Sequence, residues 1–313
     1  MKNKLNPIWW LYRIVEKNKI PKAFLSNFER EALIKFIFKF NNGRKLELKN
    51  PKRFSEKIIW YMLYYKNENL SNMICKVNVK EYVKDKIGDG HTAKLYGAWN
   101  DVNKIDWESL PQSFVLKSNC NSFGRCIKFI DNKDEIDFEE LKKEVSSWIF
   151  NPGLYSFSRG YYDIEPLLMA EEILGGARSQ PVDYKIFCFN GVPTYCYSAF
   201  EHFDNGKAQS SKIAFYDMEW NQLPVQYKES ECVPVEKPKH LDEMVEYAKK
   251  LSEGLPFVRV DFYDTDKVYV GELTFYSGSM NNKFMPDSFD FEMGEHFVLP
   301  KKNKLHRKIK LNN

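Results

Sequence analysis

The order of elements read along the chain predicts an α+β protein, with a mainly helical start followed by alternating strands and helices. Two hairpins carry that reading. Asn190-Gly191 sits between β-rich runs at residues 182–198, the strongest short hairpin signal a sequence offers. Residues 257–275 repeat the pattern around Asp264-Thr265-Asp266-Lys267.

The helical start is justified by local chemistry. Ser26-Asn27-Phe28-Glu29 has the spacing of a capping box, and Leu33, Phe36, Ile37 and Phe40 recur after it at helical intervals. A second helix follows Asn50-Pro51, carrying Phe54, Ile58, Trp60, Met62 and Leu63, and a third runs near 77–86. Ser113 to Lys117 and Arg125 to Ile130 read as strands. Asp137 caps a helix whose stripe is Phe138, Leu141, Val145, Trp148 and Ile149, with Glu140 completing the box. Leu167 to Leu174 is a strand ending in Gly175-Gly176. Residues 239–252 form an amphipathic helix through Leu241, Met244, Val245, Ala248 and Leu251. The expected boundaries are a helical region over 1–110, α+β units over 111–174 and 175–300, and a basic tail over 301–313.

Composition narrows the function classes. A chain of 313 residues is long enough for two domains. The formal charge of +4, from 47 basic and 43 acidic residues, argues against a nucleic-acid binder. The 16% aromatic content argues against disorder. The six cysteines include no C-x-x-C pair and no zinc spacing, which predicts reduced thiols in a cytoplasmic protein. Arg13 interrupts the apolar run Ile8-Trp9-Trp10-Leu11-Tyr12, so neither a signal peptide nor a membrane span is expected there. Lys301 to Lys310 is basic and free of acids; it reads as a solvated tail or as a contact to an anionic membrane surface.

The second hairpin carries the chemistry. Side chains alternate on a strand, so Arg259 and Asp261 share a face, as do Glu272 and Thr274, while Val260, Phe262, Leu273 and Phe275 point into a core. A symmetric four-residue turn would set Arg259 opposite Glu272, at about 5 Å between Cβ atoms, with Asp261 diagonal to it at about 7–8 Å. Such carboxylates suit Mg²⁺ with phosphate oxygens, and the arginine suits a phosphate or oxyanion. A plain cross-strand salt bridge fits the same residues. Lys117 ends an apolar strand before the polar loop Ser118 to Gly124, whose N–H groups can face phosphates. Lys185 lies on the strand face of Asp183, Phe187 and Phe189. Glu171-Glu172 closes another strand.

Taken in order, Lys76, Phe114-Val115-Leu116-Lys117, Glu171-Glu172, Asp183-Tyr184-Lys185, Arg259-Val260-Asp261-Phe262-Tyr263 and Gly271-Glu272-Leu273-Thr274-Phe275 resemble the TupA-like ATP-grasp family. Leu48 to Lys57 matches that family's opening segment. The resemblance covers residues 44–300 and implies an ATP-grasp fold whose two α+β subdomains sandwich ATP. It implies ATP-phosphate contacts for Lys76 and Lys117, and adenine and ribose contacts for Glu171, Glu172 and Leu174 at the hinge. Lys185 would help bind the nucleotide and act at the reaction centre. Arg259 would stabilise the transferred phosphoryl group or the tetrahedral intermediate, and Asp261, Glu272 and, more weakly, Thr274 would hold Mg²⁺. Departures from the family pattern are Cys75 where Asp is usual, Lys80 where Arg is usual, and Asn119-Cys120-Asn121-Ser122-Phe123 as the phosphate loop.

The activity so implied is an ATP- and Mg²⁺-dependent ligase that joins an amine to a uronic-acid or peptide carboxylate through an acyl phosphate, in cell-surface polysaccharide assembly. Its expected location is the cytoplasm or the inner face of the plasma membrane. Three rivals stand beside it: a kinase on the same fold, a glycosyltransferase using Asp264-Thr265-Asp266, and a non-catalytic binding protein. Alanine at Asp261 or Glu272 is expected to abolish turnover and leave the fold intact.

Overall fold

The computed structural model describes residues 23, 25–120, 126–175, 181–200, 203–204, 207–208 and 212–302. The Trp9-Trp10 segment, Asn121 to Gly124 of the polar loop, Gly176 and the tail beyond Lys302 lie outside the described residues.

Among the described residues four helices come first: α1 (Asn27–Asn42), α2 (Phe54–Tyr64), α3 (Leu70–Ile74) and α4 (Val79–Ile87). The Ser26 capping box is present, with the Ser26 side chain accepting from Glu29 N–H and Glu29 accepting from Ser26 N–H at 2.7 Å. The buried face of α1 is centred on Ile34, Ile37 and Phe38, and Leu33, Phe36 and Phe40 are only partly covered. The expected stripe is therefore rotated. Arg30, 2% exposed, occupies the helix's inner side, and no hydrophobic count could have placed it there. Helix α2 is apolar nearly all round, which marks a helix buried on every side.

A four-stranded antiparallel sheet follows, built from β1 (Leu95–Trp99), β2 (Phe114–Ser118), β3 (Ile127–Ile130) and β4 (Leu168–Glu171) in the order β1-β4-β2-β3. Strand β1 falls inside the region expected to be helical. Helix α5 (Phe138–Ser146) covers this sheet with Leu141 and Val145, and Asp137 accepts from the N–H groups of Glu139 and Glu140. These residues form their own core.

The second sheet has six strands in the order β10-β9-β6-β5-β12-β13. They are β5 (Asp183–Phe189), β6 (Val192–Phe200), β9 (Lys212–Tyr216), β10 (Gln222–Leu223), β12 (Phe257–Asp264) and β13 (Val268–Thr274). Short pairs β7 (Phe203–Asp204) with β8 (Lys207–Ala208), and β11 (Gln226–Tyr227) with β14 (Phe284–Met285), complete the strands. The β5–β6 turn is Asn190-Gly191, with φ of 52° and 83°, as a two-residue primed turn requires. Helix α6 (Leu241–Ser252) packs on this sheet through Leu241, Met244, Ala248 and Leu251.

The N-terminal helices share one core with the six-stranded sheet. Phe54 meets Phe187, Phe189 and Phe257 edge-on, with ring centroids 5.3–5.9 Å apart. Helix α7 (Ser288–His296) closes this core against α2. The approach demands Gly294, because a Cβ there would meet the Lys52 carbonyl at 2.0 Å. The segment Leu48 to Lys57 thus has a structural task. Arg53 and Arg44 pair with Asp287, Asp290 and Glu56, and Asp290 takes Ser55 N–H at 2.8 Å.

Candidate active site

The hairpin β12–β13 is closed by three residues, Thr265 to Lys267, since Asp264 pairs with Val268. A bulge then leaves Gly271 unopposed between the Phe262–Val270 and Asp261–Glu272 pairs. The tighter turn and the bulge shift the register by two positions. Asp261, not Arg259, faces Glu272, and Arg259 faces Thr274. The shared face itself is as the alternation predicts, and Val260, Phe262, Leu273 and Phe275 are buried behind it.

The register extends this face into a row. Tyr197 on β6, Lys185 on β5, Asp261 on β12 and Glu272 on β13 are successive cross-strand partners. Arg259 binds Asp261 with two parallel bonds of 2.6 Å, a bidentate pair. Its remaining N–H groups reach Tyr197 Oη, Ser277 Oγ and Thr274 Oγ1 at 3.1 Å each, and Glu272 Oε1 at 3.4 Å. Lys185 Nζ reaches Asp261 at 2.7 Å and also pairs with Asp183. Thr274 donates to Glu272 Oε1 at 2.7 Å, so it orients the carboxylate and the arginine together.

Burial is costly for every charge in this row, and neighbours decide which charges survive. For Arg259 and Lys185, burial opposes the charge, but the carboxylates of Asp261 and Asp183 more than offset it and both stay cationic. Burial also pushes Glu272 up, yet Lys76, Lys185 and Arg259 hold it well below the usual carboxylate range. Asp183 goes the other way. Its burial outweighs Lys185, Asp261 adds repulsion, and the carboxyl rises to about 7.

A second charged group stands on the other sheet. Lys117 on β2 pairs with Glu171 at the end of β4, and Lys80 on α4 reaches Glu171 at 3.0 Å. Lys80 also donates to the Ala93 carbonyl at 2.7 Å. Burial pushes Lys117 down and Glu171 up; for Glu171 the two lysines win and hold it below its usual value.

Lys76 connects the two groups. Its N–H binds the Asn119 carbonyl at 3.2 Å, just beyond Lys117, while its Nζ reaches Glu272 at 3.2 Å. Asn119 is 1% exposed and bonds Cys75 Sγ, the Glu165 carbonyl and Leu167 N–H, so the thiol at the departing position 75 is part of this joint.

The structure therefore brings together Lys76, Lys185, Arg259, Asp261, Glu272 and Thr274, and separately Lys117 with Glu171. Glu172 instead bonds the β1 edge through Lys94, and Leu174 lies half-buried in the connector between the sheets. Sequence reasoning gave no role to Tyr197 or Ser277, which hold the arginine. Only cross-strand register could have found Tyr197. Asp264 of the D-x-D letters is engaged by His240, at 2.5 Å to Nδ1, and Asp266 is exposed.

The donor chemistry of Asp261 and Glu272 fits Mg²⁺, which commonly takes one or two carboxylates together with phosphate oxygens and water. Among the described residues no group of three or more His, Cys, Asp or Glu is arranged to hold a metal.

Comparison with solved structures returns nucleotide enzymes at low identity. The ATP-grasp ligase PsnB complexed with minimal precursor is 13% identical with a TM-score of 0.40, covering 74% of this chain and 62% of that one. D-alanine–D-alanine ligase from Bacillus anthracis complexed with ATP is 16% identical at 0.40, covering 66% and 58%. N5-carboxyaminoimidazole synthetase from Staphylococcus aureus complexed with ADP is 15% identical at 0.40, covering 64% and 44%. The chain thus spans less than two thirds of the length of each of these proteins. No curated protein matches it. The TupA-like ATPgrasp family model matches residues 56–298. That match starts in the first turn of α2, ends just past α7 and takes in both sheets with every candidate residue, so the chain belongs to the TupA-like ATP-grasp family and has its α+β ATP-grasp fold.

Proposed function

We propose that the protein is an ATP- and Mg²⁺-dependent carboxylate–amine ligase. The observation that carries this reading is the facing pair Asp261 and Glu272, with Arg259 bonded to Asp261 and within reach of Glu272, opposed by Lys76 at the joint to Lys117. The four-stranded sheet, with β1 before residue 111 and its other strands within 111–174, and the six-stranded sheet within 175–300 are read as the two subdomains that enclose the nucleotide. Lys76, Lys117 and Lys185 supply cations for its phosphates. Glu171, Glu172 and Leu174 lie at or near the connector, where adenine and ribose would bind.

In this reading the γ-phosphoryl group moves from ATP to a carboxylate oxygen, ADP leaves, and an acyl phosphate forms. The amine nitrogen attacks the carbonyl carbon and loses a proton, and phosphate departs as the amide forms. Asp261 and Glu272 would hold Mg²⁺, which when bound draws charge from the phosphate oxygens. Arg259 is fixed by Asp261, Tyr197 and Ser277, so it meets developing negative charge without reorganising. Lys185 is kept protonated by Asp183 and Asp261 and adds a second fixed cation.

The acceptor is proposed to be a uronic acid or a peptide carboxylate in cell-surface polysaccharide assembly, with the protein in the cytoplasm or peripheral at the membrane's inner face. Among the described residues no helix is long and apolar enough to cross a membrane. The test is an ADP-release screen with Mg²⁺ across paired acids and amines, with hydroxylamine present in parallel. Hydroxamate formed from an acid, and ADP release that rises with an amine, are expected. ADP release with a hydroxyl acceptor and no hydroxamate would assign a kinase instead. Sugar-nucleotide turnover without ATP would assign a glycosyltransferase.

A further inference from the structure

A guanidinium has five N–H groups, and each one of Arg259 has an acceptor. Nε–H and one Nη2–H bind the two oxygens of Asp261 at 2.6 Å each, and the Nη1 pair reaches Tyr197 Oη and Ser277 Oγ at 3.1 Å each. The second Nη2–H is shared between Thr274 Oγ1 at 3.1 Å and Glu272 Oε1 at 3.4 Å. It points to the open side of the row, because Glu272 is 36% exposed while Asp261 is buried. An incoming anion would displace this N–H at the least cost, since its two bonds are long and shared.

Thr274 controls that N–H. It is the cross-strand partner of Arg259. A threonine hydroxyl has one proton and two lone pairs. Here the proton goes to Glu272 Oε1 at 2.7 Å, and the oxygen accepts from Arg259 at 3.1 Å. The hydroxyl is thus wedged between the two charged groups. Arg259 and Glu272 stand 3.4 Å apart, against 2.6 Å for Arg259 and Asp261. With the hydroxyl gone, Glu272 is the acceptor that remains for the N–H among these contacts, and the opposite charges would close on each other. Thr274 is also a poor ligand for Mg²⁺, because its oxygen already faces a guanidinium and a divalent ion on it would meet like charge.

We propose that Thr274 is a positioning residue and not a metal ligand: its hydroxyl keeps one Nη2–H of Arg259 from closing on Glu272 and so holds it ready for the transferring phosphoryl group. This rests on the phosphoryl-transfer step of the ligase reading and assigns a task to a further residue within it.

The test is calorimetry on the full chain with ADP and Mg²⁺, without and with fluoroaluminate, an anion that stands in for the phosphoryl group in transfer. Thr274→Val keeps the shape of the side chain and removes the hydroxyl. It should bind Mg²⁺ and ADP within threefold of the wild type and lose at least tenfold of the added affinity that fluoroaluminate gives, and Thr274→Ser should restore most of that loss. Thr274→Cys replaces a hard oxygen by a soft sulfur. With ADP present, its affinity for Cd²⁺ relative to Mg²⁺ should stay within threefold of the wild-type ratio. A relative gain for Cd²⁺ of tenfold or more in T274C, or a loss of Mg²⁺ binding in T274V as large as its loss of fluoroaluminate binding, would make Thr274 a ligand and overturn the proposal. Undiminished fluoroaluminate binding in T274V would overturn it too. Failure of the ligase reading would appear elsewhere, as absent hydroxamate with fluoroaluminate binding intact.

Discussion

Lys76 reaches Glu272 at 3.2 Å from a backbone that is itself bonded to Asn119, so one residue ties the end of β2 to the carboxylate face of β13. Any change in the angle between the sheets must therefore move this lysine or break one of its two bonds.

Replacing Lys76 by alanine should weaken ATP binding by about tenfold or more, since a charge-assisted bond contributes about 1.5–3 kcal/mol. Stability should change by less than about 1 kcal/mol, because Glu272 is 36% exposed and its pair with Lys76 is partly screened. Calorimetry with ATP and urea unfolding check the two parts separately. Unchanged ATP affinity would remove Lys76 from the nucleotide site.

Asp261→Ala is expected to do more than stop turnover. Asp261 is 1% exposed and holds both Arg259 and Lys185, so its removal leaves two buried cations, Lys185 with Asp183 and Arg259 with only the longer contact of 3.4 Å to Glu272. A loss of about 3–5 kcal/mol in chemical denaturation is expected. Asp261→Asn keeps the shape and one acceptor and should fold while losing activity by at least about a thousandfold, which makes it the better control. Glu272→Ala, at a more open position, should keep the fold and lose turnover.

Glu171→Gln tests the second charged group through pH. The folded state holds Glu171 below its usual value of 4.5, so its contribution is present above that pH and lost as pH falls through the lower folded value. The stability gap between wild type and variant should be widest at neutral pH and narrow below about pH 4.5. Urea midpoints at several pH values measure it. A gap independent of pH would mean that packing, not charge, holds Glu171.

Gly294→Ala should destabilise by about 1–3 kcal/mol or more, because the new Cβ meets backbone at Lys52, which cannot yield as a side chain could. Thermal denaturation measures it. ATP affinity should stay unchanged, since Gly294 packs on the backbone of Lys52 to Phe54 and on none of the charged row.

The sequence by itself determined the hairpins, the capped helices and the shared face of Arg259, Asp261, Glu272 and Thr274. These follow from periods of two and 3.6 and from turn residues such as Asn190-Gly191, all local properties of the chain. Tertiary structure decided the rest. Whether Arg259 or Asp261 faces Glu272 depended on a three-residue turn and the unopposed Gly271, and a slip of two positions leaves the alternation unchanged. The row from Tyr197 to Glu272 crosses four strands drawn from distant parts of the chain, and Lys80 meets Glu171 across about ninety residues of sequence only in the folded chain. The burial of Arg30 is hidden for the same reason. Periodicity reports which side of an element is apolar, and it cannot report which distant charge will be buried there.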